Sequence, residues 1–429
     1  MSTHTTTAAQ PVRATAAEQG IIAPVQWRDP VVSTILTVLT LVLALLSTGD
    51  SRVSFAGATG WFAMGELTVP ALPFGLFLTL LAGVATALIW ARALQRRQAS
   101  GWLMVLAGVA FVLTFLVWTV ADKPDAVLPV VSLLAGGLMF ATPLVFGSLS
   151  GVVCERSGII NIAIEGQLLA GAFLGVVVAS AAGSPWLALL GAPIAGMLVA
   201  VLLALFTIKY RADHIVVGVV LNMLVLGMTS FLFSTLLKQT PSLNRGTRLP
   251  VMGIPVLKDI PVIGPVLFNQ TILVYLMYAA VIVLQFMVFN SRWGLRMRAS
   301  GEHPRAADTV GIKVNRIRWQ NVILGGALAG LGGAFFTVGQ GLAFTKDMAA
   351  GNGFIALAAM ILGRWNPKGA LGAALLFGFA TNLGAVMQAV GADIPSQFLL
   401  MIPYIVTILA VAGFVGAVRA PAAEGKAYP

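Results

Sequence analysis

Cysteine occurs once in this 429-residue chain, at Cys154. One thiol excludes an internal disulfide and any metal site built from several cysteines. Histidine occurs three times, at His4, His214 and His303, with no H-E-x-x-H and no apolar segment pairing a Ser with a plausible His base. Nucleophilic and metal-dependent catalysis have no residues to stand on, so the chain reads as a non-enzyme without cofactor or metal. No G-x-x-x-x-G-K-S/T occurs either, and the chain carries no phosphate-cradling loop of that kind. Charge is scarce as well, at 10% of residues with only 15 Asp and Glu. Against these shortages stand 58% hydrophobic residues and 46 Gly, a usage outside that of soluble domains. The chain is a polytopic membrane protein with an all-α fold, its partner the lipid bilayer. A net charge of +11 raises nucleic acid as a partner. The Lys and Arg fall in loops between apolar runs without interleaved aromatics, so no nucleic acid is expected and the charges serve topology.

Residues 1–30 are rich in Thr, Ala and Gln, hold no signal-peptide core, and read as a cytoplasmic tail. Apolar runs follow at 31–48, 72–92, 101–121, 128–150, 159–182, 186–206, 215–236, 271–290, 319–340, 353–363, 369–388 and 397–416. Most approach the roughly 20 residues that a spanning helix needs; 353–363 does not. With the N-terminus in the cytoplasm and sides alternating, nineteen of the 26 Lys and Arg fall inside, as the positive-inside rule expects. The long segment Leu237–Gln270 then lies outside, with five prolines and no strong helical period. It reads as a structured extracellular loop or short surface helices.

Two places break the pattern of plain spans. In the first, Cys154-Glu155-Arg156-Ser157-Gly158, a charged turn leads into an apolar helix carrying Asn161, Glu165 and Gln167. Four residues separate Asn161 from Glu165, which on a helix puts both on one face. Polar groups inside a span face a bundle interior or an aqueous path, although a Glu this near a loop also suits the interface. In the second, the short run between Gly353 and Gly363 follows Gly351-Asn352 and is followed by Arg364-Trp365-Asn366-Pro367-Lys368-Gly369. Interrupted segments in corresponding positions of two halves point to a transport path lined by broken helices. Other polar groups within spans are Asn222, Gln320, Asn321, Thr337, Gln340, Thr381, Asn382 and Gln388. For any one of them taken alone, a hydrogen bond bridging two helices is the more ordinary role. With no second membrane-centred acid and no base, ion coupling is poorly supported and the route suits a neutral polar solute. Candidate path residues are Asn161, Glu165, Gln167, Asn222, Asn352 and Asn382.

The densest charge lies between two apolar runs, in SRWGLRMRASGEHPRAADTVGIKVNRIR, residues 291–318, with seven Lys or Arg. This is a water-facing loop. Its middle, Glu302–Ile312, is long enough for a helix of about three turns. Ala306, Ala307, Val310 and Gly311 would give that helix a small apolar surface for another protein's groove, unless the charges are plain positive-inside residues on an unstructured loop.

GEHPRAADTVGI, residues 301–312, resembles the cytoplasmic signature of permease subunits in bacterial ABC importers of the branched-chain-amino-acid and simple-sugar type. TPLVFGSLSGVVCERSGIINIAIEGQLLAGAF, residues 142–173, is similar to the nucleoside subgroup, whose members carry E-R-S-G-x-x-N-I-x-I-E-G. With GNGFIALAAMILGRWNPKGALGAALLFG, residues 351–378, the likeness spans roughly 128–415.

The resemblance implies a bacterial plasma-membrane permease subunit, most similar to those for nucleosides, with simple sugars as the alternative. Residues 301–312 would then couple to a cytoplasmic ATP-binding cassette subunit through Gly301, Glu302, Pro304, Arg305, Ala306, Ala307 and Gly311. It also implies a second, different permease and an extracellular substrate-binding lipoprotein. The expected organisation is a tail (1–30), an extra helix pair (31–100), a ten-helix core (101–416) holding the coupling loop 291–318, and a cytoplasmic tail (417–429). That makes about 12 transmembrane helices. An ion-coupled twelve-span carrier is the rival, but its usual long central loop is absent: the connection at 207–214 is short. A non-transporting scaffold would need neither the broken segments nor the internal amides.

Overall fold

Apolar runs in hydrocarbon must satisfy their own backbone hydrogen bonds, and an α-helix does this within one segment. The computed structural model describes residues 27–55, 65–97, 100–123, 126–391, 395, 397–399, 401–402, 404–406 and 419–429. The expected N-terminal tail to residue 26 and most of the 397–416 run lie outside the described residues. In order come α1 (Arg28–Leu46), β1 (Asp50–Ser54), β2 (Glu66–Pro70), α2 (Ala71–Leu94), α3 (Gly101–Val120), β3 (Val127–Pro129), α4 (Val130–Glu155), α5 (Ile164–Ala182), α6 (Ala188–Ala204) and α7 (His214–Leu232). Then follow β4 (Val251–Gly253), β5 (Asn269–Thr271), α8 (Ile272–Asn290), α9 (Arg292–Glu302), α10 (Pro304–Thr309), α11 (Val314–Gly333), α12 (Asn352–Leu362) and α13 (Pro367–Ala389). Among the described residues ten helices are long and apolar enough to cross a membrane.

The described chain forms two compact units. One holds α1, α2 and α3 through Trp118. Within it α1 lies along α2, with the Thr37 and Thr86 hydroxyls 2.8 Å apart and Trp27 edge-on to Trp90 at 5.9 Å. The apolar side chains Ile35, Val38, Leu80 and Val84 stay exposed, as lipid-facing residues do.

The second unit comprises residues 50–69 and 119–429. In it a small sheet has the order β2-β1-β3, β1 running parallel to β3 with Arg52 opposite Val127. Helix α11 packs on α4, α5 and α6, and α13 on α4. The α6–α11 seam is close, because Gly196 and Gly326 bring the two backbones together with no side chain between. Helices in lipid gain no hydrophobic drive toward one another, so close backbone approach and dispersion take its place. The Leu237–Gln270 segment contains short helical turns at Pro241–Leu243 and Leu257–Asp259, a wider turn at Gly264–Phe268, and the antiparallel pair β4–β5.

Two expectations are corrected. The 302–312 segment is not one helix: α9 ends at Glu302, and α10 covers only Pro304–Thr309. The reason is Pro304, which pushes the residue before it out of the helical region; His303 sits at φ −138°, ψ 78°. Likewise Asn161 and Glu165 share no helical face, because residues 156–163 are unwound and α5 begins at Ile164. Gly158, at φ +100°, turns the chain there.

Candidate functional site

An unwound stretch inside a membrane bundle exposes backbone donors and acceptors that must find partners. At the first break they find amide side chains. Asn222, from α7, accepts from the Gly166 N–H through Oδ1 at 2.8 Å and donates through Nδ2 to the Ile162 carbonyl at 2.9 Å. Asn161 and Gln167 pair reciprocally: Asn161 Nδ2 donates to Gln167 Oε1 at 3.1 Å and Gln167 Nε2 to Asn161 Oδ1 at 3.3 Å. Asn161 also donates to Ser150 Oγ of α4 at 3.0 Å. Both amides are fully buried.

The second break is a half-helix. Eleven residues of α12 rise about 16 Å, half the hydrocarbon thickness. Its N-terminus is preceded by Ala350 and Gly351, both at positive φ. Such an end leaves N–H groups bare and carries partial positive charge. Glu165 meets both needs, accepting from Gly351 N through Oε1 at 2.7 Å and from Gly353 N through Oε2 at 2.5 Å. At Gly353 a Cβ would lie 2.5 Å from the Glu165 backbone nitrogen, so only glycine admits this approach.

The two breaks also meet through their charged turns. Trp365 Nε1 donates to Glu155 Oε2 at 2.6 Å, and Arg156 Nε donates to the Trp365 carbonyl at 2.7 Å. The Arg156 guanidinium lies 5.2 Å from the centre of the Phe289 ring; burial first, then the neighbouring Arg298, lowers its pKa. Removing the indole donor leaves a buried carboxylate oxygen short of a partner, a loss of about 1–3 kcal/mol. Trp365→Phe is therefore expected to lower the thermal midpoint of the purified protein; an unchanged midpoint would show that this bond holds nothing.

Asn161, Glu165, Gln167 and Asn222 thus cluster at one break, and Glu165 reaches the helix that Asn352 opens. Asn352 is half-buried and donates to the Ala349 carbonyl at 2.7 Å. Asn382 is bonded elsewhere, to the Ser132 and Leu133 carbonyls at the start of α4. Seventeen positions of α4 separate Leu133 from Ser150, about 25 Å of helix. Two buried groups outside the candidate set stand out. Asn321 of α11 is wholly buried, and among the described residues neither its Oδ1 nor its Nδ2 has a partner. Arg318 is 1% exposed, has no acidic partner within ion-pair distance among the described residues, and donates to the Ser157 carbonyl at 3.2 Å. In sequence, Asn321 is marked only by its place in the 319–340 run, and Arg318 reads as the last residue of the water-facing 291–318 loop.

Along the expected coupling segment, Gly301 and Ala307 are buried, Pro304 is half-buried, and Glu302, Arg305, Ala306 and Gly311 are exposed. Gly301 lies so close to the Arg156 carbonyl that a Cβ would overlap it. Ser300 Oγ donates to the Ser157 carbonyl at 3.2 Å. The loop therefore rests directly on the first broken turn.

Residues 133–411 match the family described as "Branched-chain amino acid transport system / permease component". The chain is 42% identical over 305 residues to the nucleoside ABC transporter permease protein NupC of Lactococcus lactis, covering 69% of this chain and 96% of that protein. It is 41% identical over 300 residues to the guanosine ABC transporter permease protein NupQ of Bacillus subtilis, covering 68% and 94%. It is 34% identical over 252 residues to the putative glucose ABC transporter permease protein TsgC13 of Haloferax volcanii, covering 58% and 76%. No solved structure matches.

Proposed function

We propose, from the premise that this chain belongs to the permease-component family of branched-chain amino acid transport systems, that it is the membrane permease subunit of an ABC importer for nucleosides. The observation that carries the reading is the similarity to nucleoside and guanosine permeases over nearly their whole length, 96% and 94%. The putative glucose permease is less similar and is covered for 76%, which leaves simple sugars as the second reading. Uptake of labelled guanosine, uridine and glucose in cells with and without this chain separates the two. Glucose uptake lost with the chain, and nucleoside uptake retained, would overturn the first.

The energy comes from outside the chain. We infer a cytoplasmic ATP-binding cassette subunit, a second permease and an extracellular binding lipoprotein as partners, with the N-terminus and the 291–318 loop in the cytoplasm. Exposed Arg305 and Ala306 on α10, flanked by Glu302 and Gly311, give the cassette a short convex projection, and buried Ala307 fastens it underneath. ATP binding would bias the permease pair between outward- and inward-facing states. The broken segments at 156–163 and 350–366 then flank the path, with Asn161, Glu165, Gln167, Asn222 and Asn352 holding its shape and Asn382 bracing α13 against α4. Reversing both charges, Glu302→Lys with Arg305→Glu, is expected to release the cassette during purification and abolish uptake. Intact assembly and transport would remove α10 as the docking element.

A further inference from the structure

Residues 421–429 lie across the same face as the coupling loop and bond to three elements at once. The Ala423 N–H donates to the Gly301 carbonyl at 2.8 Å, and the Ala422 N–H donates to Glu302 Oε2 at 3.2 Å, so the segment holds the end of α9. The Gly425 N–H donates to the Gly158 carbonyl at 3.1 Å, so it holds the first broken turn. Arg318 Nη1 donates to the Lys426 carbonyl at 2.8 Å, and Asn315 Nδ2 to the Pro429 carbonyl at 3.3 Å, so it also holds the start of α11. Pro421 and Ala423 are buried beneath it. The fit is close on both sides. A Cβ on Gly158 would lie 2.6 Å from Arg318 Nη2, and one on Gly425 would lie 2.9 Å from Ile160 Cδ1. Asp308 of α10 and Tyr428 line one shallow pocket with Lys313 and Arg316, which brings the segment up to the short helix itself.

This arrangement is more than a covered surface. The Ser157 carbonyl takes both the Ser300 hydroxyl and the Arg318 guanidinium, and residues 421–429 bridge the neighbours of all three. We propose that residues 421–429 are a strap that locks the coupling loop to the 156–161 turn, so that displacement of α10 reaches the broken helices as one rigid movement. The proposal rests on the transport reading above. Arg318 is then a positioning residue: its buried guanidinium holds the Ser157 and Lys426 carbonyls and fixes the strap against the turn. A strap of this kind stays bonded through the whole cycle.

The test uses the full complex, purified with its cassette subunit and second permease and reconstituted in lipid vesicles. Nucleoside uptake and ATP hydrolysis are measured on the same sample. Deleting residues 421–429, or Ala423→Pro, which removes the N–H bonded to Gly301, is expected to leave the cassette bound and hydrolysing. Uptake per ATP should fall by about fivefold or more, the lower end of common coupling strengths. An unchanged ratio overturns the strap, and so does loss of the cassette from the deleted protein, which would make the segment part of the docking surface. A locked variant, Asp308→Cys with Tyr428→Cys joined by a short bifunctional thiol reagent, covers the case in which the deletion fails to accumulate; native Cys154 is buried. Retained uptake after joining supports a strap bonded throughout, and arrested uptake overturns it. If the unaltered chain itself recovers no cassette, the transport reading fails, and that result is distinct from every outcome on the variants.

Discussion

Glu165→Ala is expected to cut solute uptake about tenfold or more while most of the protein still reaches the membrane. The side chain caps a helix that is not its own, and its carboxylate is the partner of the Gly351 and Gly353 N–H groups at the start of α12. Orphaning one buried donor costs about 1–3 kcal/mol. Gly351 is half-buried and Gly353 buried, so the pair loses at least about 2–3 kcal/mol. Every 1.4 kcal/mol is tenfold in the population of seated α12. The half-helix keeps its contacts with α4 and α13, which is why the fold survives. Glu165→Gln should recover little, because its amide nitrogen is a donor and would face one of the two N–H groups. Initial-rate kinetics separate this role from direct solute contact. A positioning residue lowers the maximal rate and leaves KM nearly unchanged, whereas a solute ligand raises KM. Uptake equal to that of the unaltered chain would remove both roles.

The two breaks were legible in the sequence because charge and small residues interrupt apolar runs there, a local signal. The partner of Glu165 was not, since Gly351 and Gly353 lie 186 and 188 positions away and no periodicity links them. The i, i+4 argument for Asn161 and Glu165 failed for a related reason. It assumed a helix from residue 159, but the chain turns at Gly158 and stays unwound through Ala163. Asn382 read as one more polar group in a span, and only the three-dimensional fold shows that it bonds the start of α4, 249 and 250 positions earlier in the chain. The family match was carried by three motifs in order, which local reading could see. The bonds that make those motifs one unit run from side chains of one segment to groups of another far along the chain, and no local pattern encodes them.

Glycine abundance shows the same limit and supplies the second large effect. Forty-six glycines cannot be ranked by sequence, but their surroundings rank them. At Gly326 a Cβ would overlap the Ala200 side chain and lie 2.5 Å from the Gly196 carbonyl, whereas at Gly83 and Gly227 nothing lies within 4 Å. Gly326→Leu must therefore push α6 off α11, and α11 also carries α4 and α5. Inserting bulk into a packed core costs about 1–3 kcal/mol when side chains can yield, and here the obstacle includes backbone. Native stability is about 5–15 kcal/mol in all, so membrane abundance should fall several-fold, with a lower thermal midpoint for what remains. The same change at Gly83 or Gly227 should leave both near their original values. Equal abundance for all three variants would mean that the α6–α11 seam does not hold the bundle. A loss confined to Gly326→Leu would show that close backbone approach at the α6–α11 seam holds the bundle together.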